Sequence, residues 1–121
     1  MRFMMLYRPA DVKSLEAGVP PTEEQMAGMT RFTEEIAKTG ALQATDGLLP
    51  SAKGALVRQS ANKVTVVDGP FTEAKELIGG FAIVDVKSKA EAVDLAKRFL
   101  KVAGDGESEI REMFPRQAFT R

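Results

Sequence analysis

Two stretches of this chain open a helix in the same way, and each lies between a strand and a glycine stop. Thr22-Glu23-Glu24-Gln25 and Ser88-Lys89-Ala90-Glu91 both follow the pattern in which a hydroxyl caps the third helical N–H and an acid or amide reaches back. After the first, Met26, Met29, Phe32 or Thr33, and Ile36 recur at helical spacing, with Arg31, Glu34, Glu35 and Lys38 on the other side, until Gly40. After the second, Ala92, Leu95, Ala96 and Phe99 form the apolar stripe, and Gly104 ends it. Met26 and Met29 read as core filler. Strands flank both helices: Phe3 to Tyr7 and Leu42 to Leu49 around the first, Gly80 to Val86 and Glu107 to Phe114 around the second. Between the halves, Leu56 to Gln59 and Lys63 to Val67 enclose Ser60-Ala61-Asn62, which predicts a hairpin. Arg8 to Pro21 reads as a loop, and Pro115 to Arg121 carries no pattern.

The order β-α-β, hairpin, β-α-β predicts an α+β fold of the split βαβ, ferredoxin-like kind, with two helices on one face of an antiparallel sheet. The whole chain, residues 1–121, fits one domain. Its Val/Ile-rich strands send side chains to both faces, and two helices cover only one. A second copy of the same sheet is the expected cover, which makes the protein a homodimer packed sheet on sheet.

Composition narrows the chemistry. Lys plus Arg and Asp plus Glu are 17 each, with signs evenly mixed. That argues against a nucleic-acid partner or an anionic membrane surface. With no Cys, thiolate nucleophiles, disulfides and zinc–sulfur sites are excluded, which fits a cytoplasmic location. With no His, the usual general base and transition-metal ligand are missing too. Acid–base work falls to Asp, Glu, Lys or Tyr. A metal would have to be a hard ion held by oxygens, and no cofactor is expected. The apolar N-terminal run from Phe3 to Tyr7 is too short for a signal peptide or a membrane span.

The densest chemistry is the run Asp68-Gly69-Pro70-Phe71-Thr72-Glu73-Ala74-Lys75-Glu76-Leu77-Ile78-Gly79-Gly80-Phe81, between two strands. Asp68, at a strand end beside Phe71, is a candidate base if partly desolvated. It also fits a turn in which its carboxylate bonds nearby N–H groups and Gly69 supplies an unusual φ. Glu73 and Glu76 share one side of a helical turn if 72–77 forms one. With Lys75 they could bind a polar substrate or split acid and base roles; a solvated turn with local ion pairs is the alternative. Asp68, Glu73 and Lys75 are thus the catalytic candidates. Phe71, Glu76, Tyr7, Arg58 and Arg111 are the ligand-binding ones. Tyr7 fits a partly buried packing role better than a cleft hydroxyl, and the two arginines fit rim salt bridges as well as a substrate carboxylate. Gly79-Gly80 fits relief of crowding at a strand start better than a phosphate loop.

Asp68-Gly69-Pro70-Phe71, the following Glu73-x-Lys75-Glu76 and Gly79-Gly80-Phe81 resemble the YCII-related proteins, in their DGPF-domain branch. Weaker agreement runs through Phe3 to Tyr7, Gly47-Leu48-Leu49-Pro50-Ser51 and the strand–helix pair after Phe81. The resemblance implies a dimeric α+β barrel with small-molecule clefts beside paired sheets. Members are small bacterial cytoplasmic proteins, mostly without assigned activity. Related barrels include isomerases, dehydrochlorinases, monooxygenases and ligand-binding regulators. A His–Asp pair suggested for other members has no counterpart here, and the Trp that family members tend to carry near Met29 is absent. Three functions follow as expectations. The chain binds a small polar metabolite near the 68–80 loop, or performs carboxylate-based isomerase- or lyase-type proton transfer on a small cyclic or polar metabolite. The third is a non-catalytic accessory or regulatory module.

Overall fold

The computed structural model describes residues 1–73 and 77–116. In chain order it contains β1 (Arg2–Pro9), α1 (Val12–Glu16), α2 (Glu23–Lys38), β2 (Leu42–Gly47), a 3-10 turn (Ser51–Lys53), β3 (Ala55–Ser60), β4 (Lys63–Asp68), β5 (Gly80–Asp85), α3 (Lys89–Ala103) and β6 (Gly106–Glu112). Four strands form one sheet in the order β2-β5-β1-β6, antiparallel at every junction. The protein is therefore α+β with an antiparallel sheet, consistent with the ferredoxin-like plan.

Both long helices start as their sequences dictate. Thr22 accepts from the Gln25 N–H at 3.1 Å, and the Gln25 side chain accepts from the Thr22 N–H at 3.0 Å. At α3 the Ser88 hydroxyl accepts from the Glu91 N–H at 3.2 Å, but Glu91 reaches one residue further back, to the Lys87 N–H at 2.8 Å. The expected reciprocal box thus closes on Lys87 instead of Ser88.

Alternation along β1 decides which residues meet the helices. Phe3 stands opposite Val84, and Met5 opposite Ala82 and Ile110, all on the helix side. Phe3 is 1% exposed and Val84 2%, and Ala92 and Ala96 bring α3 down onto them with almost no side chain between. Burying a Phe of this kind contributes about 1.5–3 kcal/mol. Helix α2 rides against α3 through Gly28, where an added Cβ would sit 2.8 Å from a Val102 methyl. That packing turns Met26 outward. It is 52% exposed and lines a shallow groove with Met29 and Thr33, so it does not fill the core as its spacing suggested.

Other departures have local causes. The stretch from Arg8 extends β1 to Pro9 and then folds α1, whose Asp11 cap accepts from the Ser14 N–H at 3.1 Å and hydroxyl at 2.7 Å. Five residues are too few to show an apolar period. Strand β2 stops at Gly47, the Leu48 N–H still donating to the Gly79 carbonyl at 3.0 Å before the 3-10 turn. The hairpin link is two residues, Ala61 and Asn62, both left-handed at φ 50° and 67°, as a tight primed turn requires. β3 and β4 form a separate two-stranded sheet whose valines face solvent, Val57 at 68% and Val66 at 63% exposure.

Opposite the helices, Met4 pairs with Ile83 and Leu6 with Phe81 across β1 and β5. The side chains on that face are only partly buried within one chain. Truncating Phe3 to alanine should lower unfolding free energy by about 3–5 kcal/mol, because the cavity opens under α3. Urea unfolding with an unchanged slope would show it, and a loss too small to resolve would contradict this account of the core.

Candidate functional site

The run after β4 positions a neighbour more than it displays its own acids. The Gly69 N–H donates to the Gly54 carbonyl at 3.0 Å, and the Gly69-Pro70 peptide is cis. A Cβ on Gly69 would lie 1.8 Å from the Ser51 carbonyl oxygen. Glycine is demanded there by close backbone approach, since its φ is not left-handed; the unusual φ expected from the sequence is replaced by a packing constraint. Gly80 is similar, with Asp46 O 2.9 Å from an added Cβ, which is the crowding at the strand start that the double glycine suggested.

Past Pro70, the Phe71 N–H donates to the Ser51 hydroxyl oxygen at 2.9 Å. The Ser51 N–H donates to one Glu16 carboxylate oxygen at 3.0 Å, and the Ser51 hydroxyl donates to the other. Three segments far apart in sequence, the end of α1, the 3-10 turn and the β4–β5 connection, are joined through one serine. They enclose a cleft of about 400 Å³. Its walls are apolar, from Leu48, Leu49, Pro50, Phe71, Leu77 and Ile78; Glu16, Ser51 and Lys53 supply its polar side chains. The groove along α2, about 290 Å³, draws its lining from that helix alone and gathers no comparable polar cluster. Among the described residues no cluster of three or more acidic side chains is placed to hold a metal.

Of the sequence candidates, Phe71 lines the cleft. Asp68 ends β4 opposite Ala55, exposed, and its carboxylate has no hydrogen-bond partner among the described residues. The turn-stabilising bond expected of it is therefore not made there. Glu73 is exposed and outside the lining. Lys75 and Glu76, and with them the helical turn that would align Glu73 and Glu76, lie outside the described residues. Tyr7 points to the helices, edge-on to Phe99 with ring centroids 5.2 Å apart, its hydroxyl donating to the Asp105 carbonyl at 3.5 Å. Burial, and secondarily the Asp105 charge, push that hydroxyl above the ordinary tyrosine range. Arg58 is exposed on β3 opposite Thr65. Arg111 holds Glu109 at 3.1 Å on β6, and Arg8 holds the same carboxylate at 3.0 Å, on the sheet face turned away from the helices.

Glu16 and Ser51 carried no sequence signal of their own. Glu16 stood in an expected loop, and Ser51 closed a segment noticed only through resemblance.

A family model described as the YCII-related domain matches residues 1–116. An uncharacterized protein of Rhizobium meliloti (strain 1021) is 35% identical over 75 residues, 62% of this chain and 60% of that protein's length. Among solved structures, 5-chloro-2-hydroxyhydroquinone dehydrochlorinase (TftG) from Burkholderia phenoliruptrix, in complex with 2,5-dihydroxybenzoquinone, superposes with a TM-score of 0.57. The match covers 98% of each chain at 15% identity, a likeness of fold alone.

Arg111 first, and then Arg8, hold the Glu109 carboxyl below the ordinary glutamate range by hydrogen bonding. A depressed folded pKa means this stabilisation is present above the unfolded value and is lost as pH falls through the folded one. The stability gap between wild type and Glu109→Gln should accordingly shrink on acidification below the carboxylate range. Urea midpoints at neutral and acid pH test this, and a gap that widens in acid would contradict it.

Proposed function

The chain belongs to the YCII-related family, and from that premise we propose that it binds a small cyclic or polar metabolite in the cleft walled by the 68–80 loop. The observation that carries this is the cleft itself: about 400 Å³, walled by apolar side chains, with a few convergent polar groups. That volume and lining suit a small-molecule site. The loop's contribution is Phe71, Leu77 and Ile78.

A catalytic form of the same reading is carboxylate-based proton transfer of the isomerase or lyase type on such a metabolite. It draws support from the carboxylate on the lining and from a fold neighbour that is a dehydrochlorinase with a hydroxylated quinone bound. Asp68, Glu73 and Lys75 remain the catalytic candidates of that reading. Exposure of Asp68 and Glu73 favours instead the non-catalytic version, an accessory or regulatory module that senses the ligand. We place the protein in the cytoplasm, which the lack of cysteine fits, as a single domain spanning 1–121, a length suited to one domain. Among the described residues no helix is long and apolar enough to cross a membrane.

The assembly proposed is a homodimer that covers the sheet face of Met4, Leu6, Phe81 and Ile83, opposite the helix-packed face of Phe3, Met5 and Val84. A cover of the same shape and composition makes a self-complementary interface. Sedimentation of the purified chain at micromolar concentration should give a dimer, and a monomer there would defeat the sheet-on-sheet assembly.

For the ligand, a panel of small cyclic and polar metabolites should contain members that raise the melting temperature by several degrees near saturation. A panel without any stabilising member would defeat the binding proposal. Stabilisation that survives Asp68→Asn unchanged would remove that carboxylate from the site.

A further inference from the structure

Ser51 spends both hydrogen-bonding roles of its hydroxyl within the chain, donating to Glu16 and accepting from the Phe71 N–H. Glu16 keeps capacity in reserve. An ionised carboxylate offers about four acceptor sites. Ser51 occupies one on each oxygen, through its N–H and its hydroxyl. Because Glu16 lies on the cleft lining, what remains of its acceptor capacity is offered to whatever enters. A carboxylate donates nothing, so the group it recognises must bring a proton.

The rest of the lining decides which donor that is. Leu48, Leu49, Phe71, Leu77 and Ile78 favour a compact apolar body. Lys53 is the other charged side chain on the lining among the described residues, and it disfavours an ammonium ligand while welcoming an acceptor oxygen. A ring hydroxyl fits both conditions. We propose that the cleft recognises a neutral phenol or enol, whose hydroxyl donates to Glu16, with Ser51 as the residue that positions the carboxylate. This rests on the small-molecule reading of the cleft and goes beyond it by naming the recognised group and its acceptor.

The pairing has a direct consequence for ionisation. A phenolate has lost the proton that Glu16 accepts and carries a charge that the carboxylate repels; Lys53 attracts that charge, but it is exposed, and water screens the attraction. Binding therefore follows the neutral form and weakens as pH rises through the ligand's own pKa. The Asp68–Phe71 run enters as scaffold: Gly69 admits the Ser51 backbone and Phe71 fixes its hydroxyl, so the run aims a carboxylate that belongs to α1.

Equilibrium dialysis of the full chain with 4-nitrophenol and its O-methyl ether, 4-nitroanisole, tests this with probes of matched size. The wild type should bind the phenol roughly tenfold or more tightly than the ether, the worth of a hydrogen bond to a charged acceptor. Affinity for 4-nitrophenol should fall as it ionises. In Glu16→Gln, whose amide oxygen is a neutral and weaker acceptor that can still bond Ser51, the preference for the phenol should shrink severalfold while the urea midpoint reports an intact fold. Equal binding of phenol and ether by the wild type would overturn the inference, with no variant needed. So would a preference that persists undiminished in Glu16→Gln. If neither probe binds but a metabolite of another class stabilises the protein, this inference falls and the binding function stands; if nothing binds, both fall.

Discussion

At Gly69 the chain passes so near the Ser51 carbonyl that one extra methyl carbon would lie 1.8 Å from its oxygen. That approach seats the connection after β4 against the 3-10 turn. From it follow the bond from the Gly69 N–H to Gly54, the entry of Phe71 into the cleft and the hold on the Ser51 hydroxyl. Ser51 in turn ties Glu16, and so the end of α1, to the same place. Backbone contacts of this kind cannot relax by rotating a side chain, so the cleft wall is set by main-chain geometry.

The larger frame is a compromise over surface. Two long helices supply one apolar layer, and the sheet's helix-facing side takes all of it through Phe3, Met5 and Val84. The other side holds Met4, Leu6, Phe81 and Ile83 beside the ion cluster of Arg8, Glu109 and Arg111. The β3–β4 hairpin adds Val57, Val64 and Val66, all exposed, to the apolar surface one chain leaves open. A two-stranded hairpin is marginal on its own. Both features leave apolar area open within one chain.

Where local signals were strong, the sequence could be read closely. Thr22 and Ser88 capped their helices, Gly40 and Gly104 followed their ends in left-handed backbone, and the paired β-branched runs formed a hairpin. Misreadings came where several arrangements satisfy one local pattern. The spacing of Met26 is that of a core position, yet α2 turns by the fit of Gly28 against Val102. Glu91 had two N–H groups within reach and took the one on Lys87.

The site shows the same division more sharply. The run from Asp68 to Phe81 contributes Phe71, Leu77 and Ile78 to the proposed cleft, and a dense polar loop with Gly, Pro and an aromatic is conspicuous without any structure. Its acids drew attention, whereas the carboxylate on the cleft lining is Glu16, some fifty residues earlier in a stretch with no pattern. Sequence alone determined the order of the six strands and two long helices, the hydroxyl caps and glycine stops of those helices, the chemistry excluded by the lack of His and Cys, and the family marker. These depend on neighbours within a few residues or on composition. Only the tertiary structure decided which side chains share the cleft, because Glu16, Ser51 and Phe71 meet through long-range backbone packing that no short window of sequence contains.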